Sequence, residues 1–184
     1  SAIGLLDGVI GGALERTMPS WLTSFMGQNS NTNRDGTSRD TVEGNAGESL
    51  IDMVSFLGEV EYTPHVGGSN FNSAIALGRL GANSYYFGAV SNDNYGKLIE
   101  DSLKNSNVRE EFIIKTNRPT TLAYADVVNG IAEYTFVDEH SAGRMLDKAS
   151  LKPFLSRVMK AKALLVGGIS LQAEPCGSSW QWLV

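Results

Sequence analysis

A glycine pair followed by two asparagines is the feature of this sequence best suited to binding a small polar molecule. The stretch HVGGSNFNSAIALGRLGA covers residues 65–82, and its first two glycines, Gly67 and Gly68, precede a predicted helix. Glycine allows a ligand to approach the backbone, and the N–H groups at a helix start have no partner within the helix. Asn70 and Asn72 add amide donors and acceptors that suit a polyhydroxylated ligand. Taken alone, a glycine pair before a helix more often marks an ordinary tight turn.

The composition predicts a globular domain and excludes several classes of function. Hydrophobic residues make up 42% of the 184 residues and charged residues 19%, both close to globular averages. A net charge of -5 without a basic run argues against nucleic-acid binding. The single cysteine, Cys176, and the two histidines, His65 and His140, allow no internal disulfide and show no metal-ligand spacing. The apolar stretches are too short to cross a bilayer and the first residues do not resemble a signal peptide, so we expect a cytoplasmic protein without a membrane partner.

The chain divides into an N-terminal tract and a domain in which strands and helices alternate. Apolar residues in residues 1–27 recur near helical spacing, which predicts a short amphipathic helix. Residues 28–45 are almost wholly polar and turn-forming, so we predict a flexible linker that contributes to no site. The predicted boundary therefore separates a tract of residues 1–45 from an α/β domain of residues 46–184.

The pattern within the domain predicts an open α/β sheet that carries a small β lobe. SLIDMVSF has the character of the first buried strand and presents Asp52 at its end. Three β-rich runs follow further on, EEFIIKT, TTLAYADVV and IAEYTFVDE, and Asn129–Gly130 between the last two is a strong hairpin signal. ALLVGGIS is a continuous apolar run, which is typical of a parallel strand buried on both faces.

Several blocks in order resemble the N-terminal half of the PfkB family of ribokinase-like carbohydrate kinases. They are GESLIDMV, the V-G-G-x-N-x-N block with its helix, FGAVSNDNYG, the run from RPTTLAY to GRML, and LLVGGISLQAEPCGSSW, together spanning residues 47–184. The resemblance implies a ribokinase-like fold, that is, a Rossmann-type α/β sheet with a small β-meander lid, here truncated to its N-terminal part. The lid strands are expected within about residues 56–66 and 111–138. Residues 1–45 resemble no part of the family.

The resemblance also assigns acceptor-binding positions in this chain. Asp52 matches the family's acidic residue that binds sugar hydroxyls, and a carboxylate suits this because it accepts two strong hydrogen bonds from neighbouring hydroxyls. Gly67, Gly68 and Asn72 match the family's sugar-contacting signature. The bland alternative for Asp52 is a solvated carboxylate at a strand end.

Other polar and aromatic positions have two interpretations each. Tyr124 and Phe136, on the lid strands, either close over the apolar face of the sugar ring or form the core of the lid. Asp93 matches an acidic position in the family and is equally suited to cap a helix. Three residues where the chain leaves the lid contact a substrate or form salt bridges at a hinge; they are Asp138, Glu139 and Arg144. Arg118 either contacts an anionic group of the substrate or is simply solvated.

The resemblance implies ATP-dependent phosphorylation of a small sugar, with fructose or a 2-keto-3-deoxy sugar acid as the acceptor. ATP and Mg²⁺ are the implied cofactors, with sites mostly outside this chain, and a homodimer through the lid strands is the expected assembly. The family's G-A-G-D motif, which carries the catalytic aspartate, is absent from the sequence, so we expect this chain alone to be inactive. Two alternatives remain: a non-catalytic sugar-binding or dimerisation module, and an incomplete gene product.

Overall fold

A computed structural model describes residues 43–56, 61–128 and 131–184 of the chain. All of them lie in one compact unit, residues 41–184. The predicted helix of residues 1–27, most of the predicted linker and the hairpin turn at Asn129–Gly130 lie outside the described residues.

The described residues form eight strands and five α-helices. The strands are Glu43–Ala46 (β1), Leu50–Phe56 (β2), Thr63–Gly67 (β3), Ser84–Ser91 (β4), Arg109–Thr116 (β5), Thr121–Val128 (β6), Ile131–Val137 (β7) and Ala163–Val166 (β8). The helices are Ser69–Arg79 (α1), Asn94–Asn105 (α2), Lys148–Leu151 (α3), Leu155–Val158 (α4) and Cys176–Leu183 (α5), with short 3₁₀ segments at Lys152–Phe154 and Gly168–Leu171. No helix in this part of the chain is long and apolar enough to cross a membrane.

Four strands form a parallel sheet in the order β5-β4-β1-β8. Every residue of β4 is buried, as expected for a strand of a parallel sheet that is covered on both faces. Its side chains alternate between two hydrophobic clusters, because successive side chains of a strand point to opposite faces. Tyr85 and Phe87 join a cluster around Trp180 of α5, whereas Tyr86 and Val90 join the cluster that includes α1 and α2.

The other four strands form a mixed sheet in the order β3-β2-β6-β7. β2 pairs antiparallel with β3 and parallel with β6, and β6 pairs antiparallel with β7. Ile51 of β2 is fully buried, and Met53 packs beside it against the cluster of α1 and α2. The predicted α/β fold with a small β lobe is therefore confirmed.

The structure corrects the prediction at the start of the domain. Residues 43–45, assigned to the flexible tract, form β1 with Ala46 and pair with both β4 and β8. Asn45 is buried and donates from Nδ2 to the Ser84 hydroxyl at 3.2 Å. The strand was missed because EGNA is short and polar, and only its position between two other strands makes it extended. The residues predicted as the first strand of the main sheet, around Asp52, lie instead in β2 of the mixed sheet.

Two further predictions about strands were wrong. The predicted lid ranges omit most of β2 and include β5, yet β2 belongs to the mixed sheet and β5 pairs parallel with β4. β8 is an edge strand rather than one buried on both faces, and Leu165 is 49% exposed. Its neighbours Leu164 and Val166 pack against the Trp180 cluster, so one face is covered.

Candidate functional site

Four side chains form a row across one face of the mixed sheet, and Asp52 stands within it. Asp52 pairs with His65 on β3 and with Ala123 on β6, and Ala123 pairs in turn with Phe136 on β7. Residues directly opposite one another on neighbouring strands project from the same face. The register therefore aligns a carboxylate, an imidazole and an aromatic ring, with only a small alanine between Asp52 and Phe136.

Asp52 is half-buried, and its carboxylate lies over the backbone of Gly67. A Cβ atom at position 67 would come within 2.2 Å of Asp52 Oδ2, so any side chain there would displace the carboxylate. Burial raises the pKa of Asp52, and the neighbouring His65 opposes this shift. A partly desolvated carboxylate of this kind forms stronger hydrogen bonds to a hydroxyl ligand than one in open water.

Gly68 lies immediately before α1 and has a backbone conformation that residues with a side chain rarely adopt. Its φ is 115°, and a Cβ atom there would meet the backbone carbonyl oxygen of Glu48 at 2.6 Å. Gly68 is the N-cap of α1 and provides no side chain to cap it. Its carbonyl accepts the Asn72 N–H at 2.8 Å, which closes the first helical turn. Gly67 and Gly68 thus place two consecutive residues without side chains where β3 passes into α1.

The two asparagines of α1 have different environments. Asn72 is exposed, so its amide remains accessible to a ligand. Asn70 is buried and donates from Nδ2 to the carbonyl oxygens of Ala46 and Leu165, the latter at 3.2 Å. Asn70 therefore connects α1 to β1 and β8, and its predicted suitability for a polyol does not survive its burial.

The two predicted aromatic contacts lie on opposite faces of the mixed sheet. Phe136 shares the face of Asp52 and is 46% exposed. Tyr124 pairs with Met53 on the other face and makes an edge contact with Tyr62, with ring centroids 5.0 Å apart. Of the two rings, only Phe136 therefore shares the face of Asp52, because adjacent residues of a strand alternate between faces.

Asp93 caps α2, which was the structural alternative for this residue. Its Oδ1 accepts the Gly96 N–H at 2.7 Å, and its two oxygens accept the N–H and the hydroxyl of Thr120 at 2.9 and 2.8 Å. Burial alone would raise the pKa of Asp93, but these hydrogen bonds and one with Ser91 outweigh it and lower the pKa. A carboxylate occupied in this way is a structural cap.

The charged residues after β7 form surface pairs. Arg144 Nη1 contacts both carboxylate oxygens of Asp138, at 3.0 and 2.8 Å. Glu139 lies 3.9 Å from His140 and is strongly exposed. Arg118 is exposed on the turn between β5 and β6. These positions match the structural alternative given for them.

Sequence reasoning missed Glu48 as a residue that organises the site. Its buried carboxylate accepts the N–H and the hydroxyl of Ser69 at 3.2 and 2.8 Å, and the hydroxyl of Ser170 at 2.5 Å. It thereby joins the start of α1 to the 3₁₀ segment that follows β8. Glutamate is usually exposed, so nothing in the local sequence signalled its burial.

The described residues offer no evident metal site. Within residues 43–56, 61–128 and 131–184, no group of three or more His, Cys, Asp or Glu side chains is arranged to hold a metal ion. The arrangement instead suits a neutral polyol, with a carboxylate and an amide to bind hydroxyls and an aromatic ring beside them.

Comparison with known sequences shows the family of the chain. Residues 47–183 match the family described as pfkB family carbohydrate kinase. The chain is 43% identical over 141 residues to a fructokinase of Rhizobium leguminosarum bv. trifolii, covering 75% of this chain and 42% of that protein. The chain thus spans less than half the length of this relative.

Solved structures show the same fold. An uncharacterized sugar kinase of Pyrococcus horikoshii in complex with ATP superposes with a TM-score of 0.68 at 23% identity, over 77% of this chain and 48% of that one. A fructokinase of Vibrio cholerae O395, in a form with bound fructose, ADP and calcium ion, superposes with a TM-score of 0.64 at 23% identity, over 78% of this chain and 46% of that one. The ribokinase-like architecture predicted from the sequence is therefore present here in part.

Proposed function

This chain belongs to the pfkB family of carbohydrate kinases, and from that premise we propose that its described part binds the sugar acceptor of an ATP-dependent phosphorylation. The observation that carries the proposal is the placement of Asp52 over Gly67, beside the start of α1 and in one row with Phe136. Asp52 binds two hydroxyls, and Gly67, which has no side chain, leaves the space that the Asp52 carboxylate occupies. Asn72 adds an amide contact, and the ring of Phe136 covers an apolar face of the sugar.

Fructose is the acceptor that we propose, with a 2-keto-3-deoxy sugar acid as the less favoured one. The similarity to a fructokinase supports this choice. So does the charge of the site, because a carboxylate on the acceptor would be repelled by the ionised carboxylate of Asp52. A neutral polyol meets no such repulsion.

We propose that the sites for ATP and Mg²⁺ lie mostly outside this chain and that ATP supplies the phosphoryl group in the proposed reaction. The G-A-G-D motif is absent from the 184 residues. No step of phosphoryl transfer is therefore assigned to side chains of this chain, and a coupled assay with ATP and fructose should show no turnover above background. Turnover that Asp52→Ala abolishes would contradict this expectation.

A dimerisation role is a second candidate, favoured by the exposed outer strand of the mixed sheet. Tyr134, Phe136 and Val137 of β7 are 57%, 46% and 52% exposed, and among the described strands β7 pairs only with β6. Exposed strand edges with apolar side chains tend to pair with another chain. This role and sugar binding use different groups of β7, because strand pairing uses the backbone at its edge, whereas the side chain of Phe136 projects from the face of Asp52.

Calorimetric titration of the full chain with fructose tests the proposal. We expect saturable binding that Asp52→Asn weakens at least tenfold, since this substitution keeps the shape of the side chain while removing its charge, and a hydrogen bond to a charged group contributes about 1.5–3 kcal/mol. Glu139→Gln is a matched control, because it removes the charge of an acidic residue that is 87% exposed and lies outside the strands of the mixed sheet. Absence of binding to fructose and to 2-keto-3-deoxygluconate by the folded parent chain would favour the interpretation as an incomplete gene product.

A further inference from the structure

His65 is the neighbour of Asp52 on the candidate acceptor face, and one of its ring nitrogens has no partner there. Nε2 of His65 is buried and forms no hydrogen bond to any described residue. The residue pairs directly with Asp52 across the antiparallel strands β2 and β3. Buried polar atoms are nearly always hydrogen-bonded, so an unpaired nitrogen beside a ligand-binding carboxylate indicates a partner supplied by the ligand.

We propose that His65 is a further acceptor-binding residue, whose Nε2 forms a hydrogen bond with a sugar hydroxyl next to those that Asp52 binds. The inference rests on the proposed function, because it presumes that the face of Asp52 holds the sugar. Adjacent hydroxyls of a sugar are separated by only a few ångströms, as are directly paired side chains of neighbouring strands. A hydroxyl both donates and accepts, so it suits Nε2 in either tautomer of the ring.

The surroundings of His65 limit what else could satisfy this nitrogen. On the same face the row continues with the methyl group of Ala123 and then with the ring of Phe136, neither of which offers a hydrogen bond. Gly67, two residues along β3, carries no side chain, and the carboxylate of Asp52 occupies the space above it. The imidazole thus borders the position where a hydroxyl bound to Asp52 would lie.

His65 would act on specificity as well as affinity. Asp52 alone accepts hydrogen bonds from any pair of neighbouring hydroxyls. A second group at a fixed position in the row requires a further hydroxyl at a defined place on the ring, and a site built to bind a hydroxyl rejects the analogue that lacks it. The residue therefore selects among sugars that Asp52 would bind equally.

The test combines protein variants with altered ligands. Fructose and its monodeoxy analogues, each lacking one hydroxyl, are titrated into the full parent chain and into His65→Leu and His65→Gln. We expect one monodeoxy analogue to bind the parent chain roughly 2- to 10-fold more weakly than fructose, as the loss of one neutral hydrogen bond predicts. The His65→Leu variant should bind this analogue and fructose with equal affinity. The His65→Gln variant provides an amide that can form a hydrogen bond, so it should retain part of the preference for fructose over the analogue.

The other histidine of the chain supplies the control. His140 is exposed in the turn after β7, with a φ of 58°, so His140→Asn tolerates this backbone and should leave the preference unchanged. In ¹⁵N NMR spectra of the parent chain, fructose should shift the imidazole resonances of His65 and not those of His140. This signal is independent of any variant that fails to fold.

The outcomes separate the inference from the function on which it depends. Fructose binding with no change at the His65 ring, or with equal losses for every analogue in the parent chain and in His65→Leu, overturns the inference and leaves the acceptor site at Asp52 intact. No fructose binding by the folded parent chain overturns both.

Discussion

Tyr124 and Phe136 lie on opposite faces of the mixed sheet, although their strands pair side by side. Ala123 pairs with Phe136 and Tyr124 pairs with Thr135, so the two rings project in opposite directions. Asp52 pairs with Ala123, which places Phe136 on its face and Tyr124 on the other. The register thus distinguishes two aromatic residues that the sequence presents as equivalent.

The first prediction is that fructose binding depends on Phe136 and not on Tyr124. Phe136→Ala should weaken binding roughly 2- to 10-fold, because a ring packed on the apolar face of a sugar contributes on the order of 1 kcal/mol. Tyr124→Ala is the matched control and should bind like the parent chain. Calorimetric titration at equal protein concentration measures both. A larger loss for Tyr124→Ala than for Phe136→Ala would contradict the placement of the site on the face of Asp52.

The second prediction concerns Glu48 and the stability of the domain. Glu48→Ala removes the acceptor for the N–H of Ser69 and for two hydroxyls, those of Ser69 and Ser170. Only the Ser170 hydroxyl belongs to a buried residue, and a buried donor left without a partner costs about 1–3 kcal/mol, so we expect the free energy of unfolding to fall by roughly 2 kcal/mol. Urea unfolding followed by circular dichroism measures the change. Glu139→Ala, which truncates an exposed glutamate, should be close to neutral, and an equal loss in both variants would contradict the role of Glu48.

How far the sequence predicts this molecule depends on whether local pattern or strand register decides the feature. The β-rich run of β6 and the helix that follows the glycine pair, α1, are local features, and both elements were predicted. β1 was not, because a four-residue polar strand is defined only by its two neighbours. For the candidate site, the sequence singled out Asp52 and Gly67, which the fold brings together, but the burial of Asn70 and the face of Tyr124 depend on tertiary contacts that no short sequence window contains.

The third prediction is a pH-dependent contribution of Asp93 to stability. Hydrogen bonds hold the pKa of Asp93 below its ordinary value, so the folded state favours the carboxylate form. This stabilisation is fully present above the pKa of the unfolded chain, about 4, and is lost as the pH falls through the folded-state pKa. Asp93→Ala should therefore lower the free energy of unfolding by about 1–2 kcal/mol at pH 7, with the difference from the parent chain shrinking below pH about 4.

Urea unfolding at pH 7, 5 and 3.5 gives this difference, and Asp147 provides the comparison. Asp147 accepts the N–H of Ser150 at 2.8 Å and caps α3, but that helix has only four residues. Asp147→Ala should thus cost less than Asp93→Ala. A difference between the parent chain and Asp93→Ala that grows as the pH is lowered would have the wrong sign for a hydrogen-bonded carboxylate.

The last prediction is self-association through β7. β7 has an unpaired edge, and its exposed apolar side chains Tyr134 and Val137 have no cover in the described part of the chain. Sedimentation equilibrium should therefore show a concentration-dependent dimer. Tyr134→Lys should shift the chain toward monomer, because a charged residue on an edge strand opposes pairing with a second strand.

Leu165→Lys, on the edge strand β8 of the parallel sheet, is the matched control. It places the same charge on a different edge, and the variant should still form the dimer if β7 is the interface. A parent chain that stays monomeric at high concentration would exclude the β7 dimer. Loss of the dimer in Leu165→Lys but not in Tyr134→Lys would assign the interface to β8, because the edge whose modification breaks the dimer is the one that pairs.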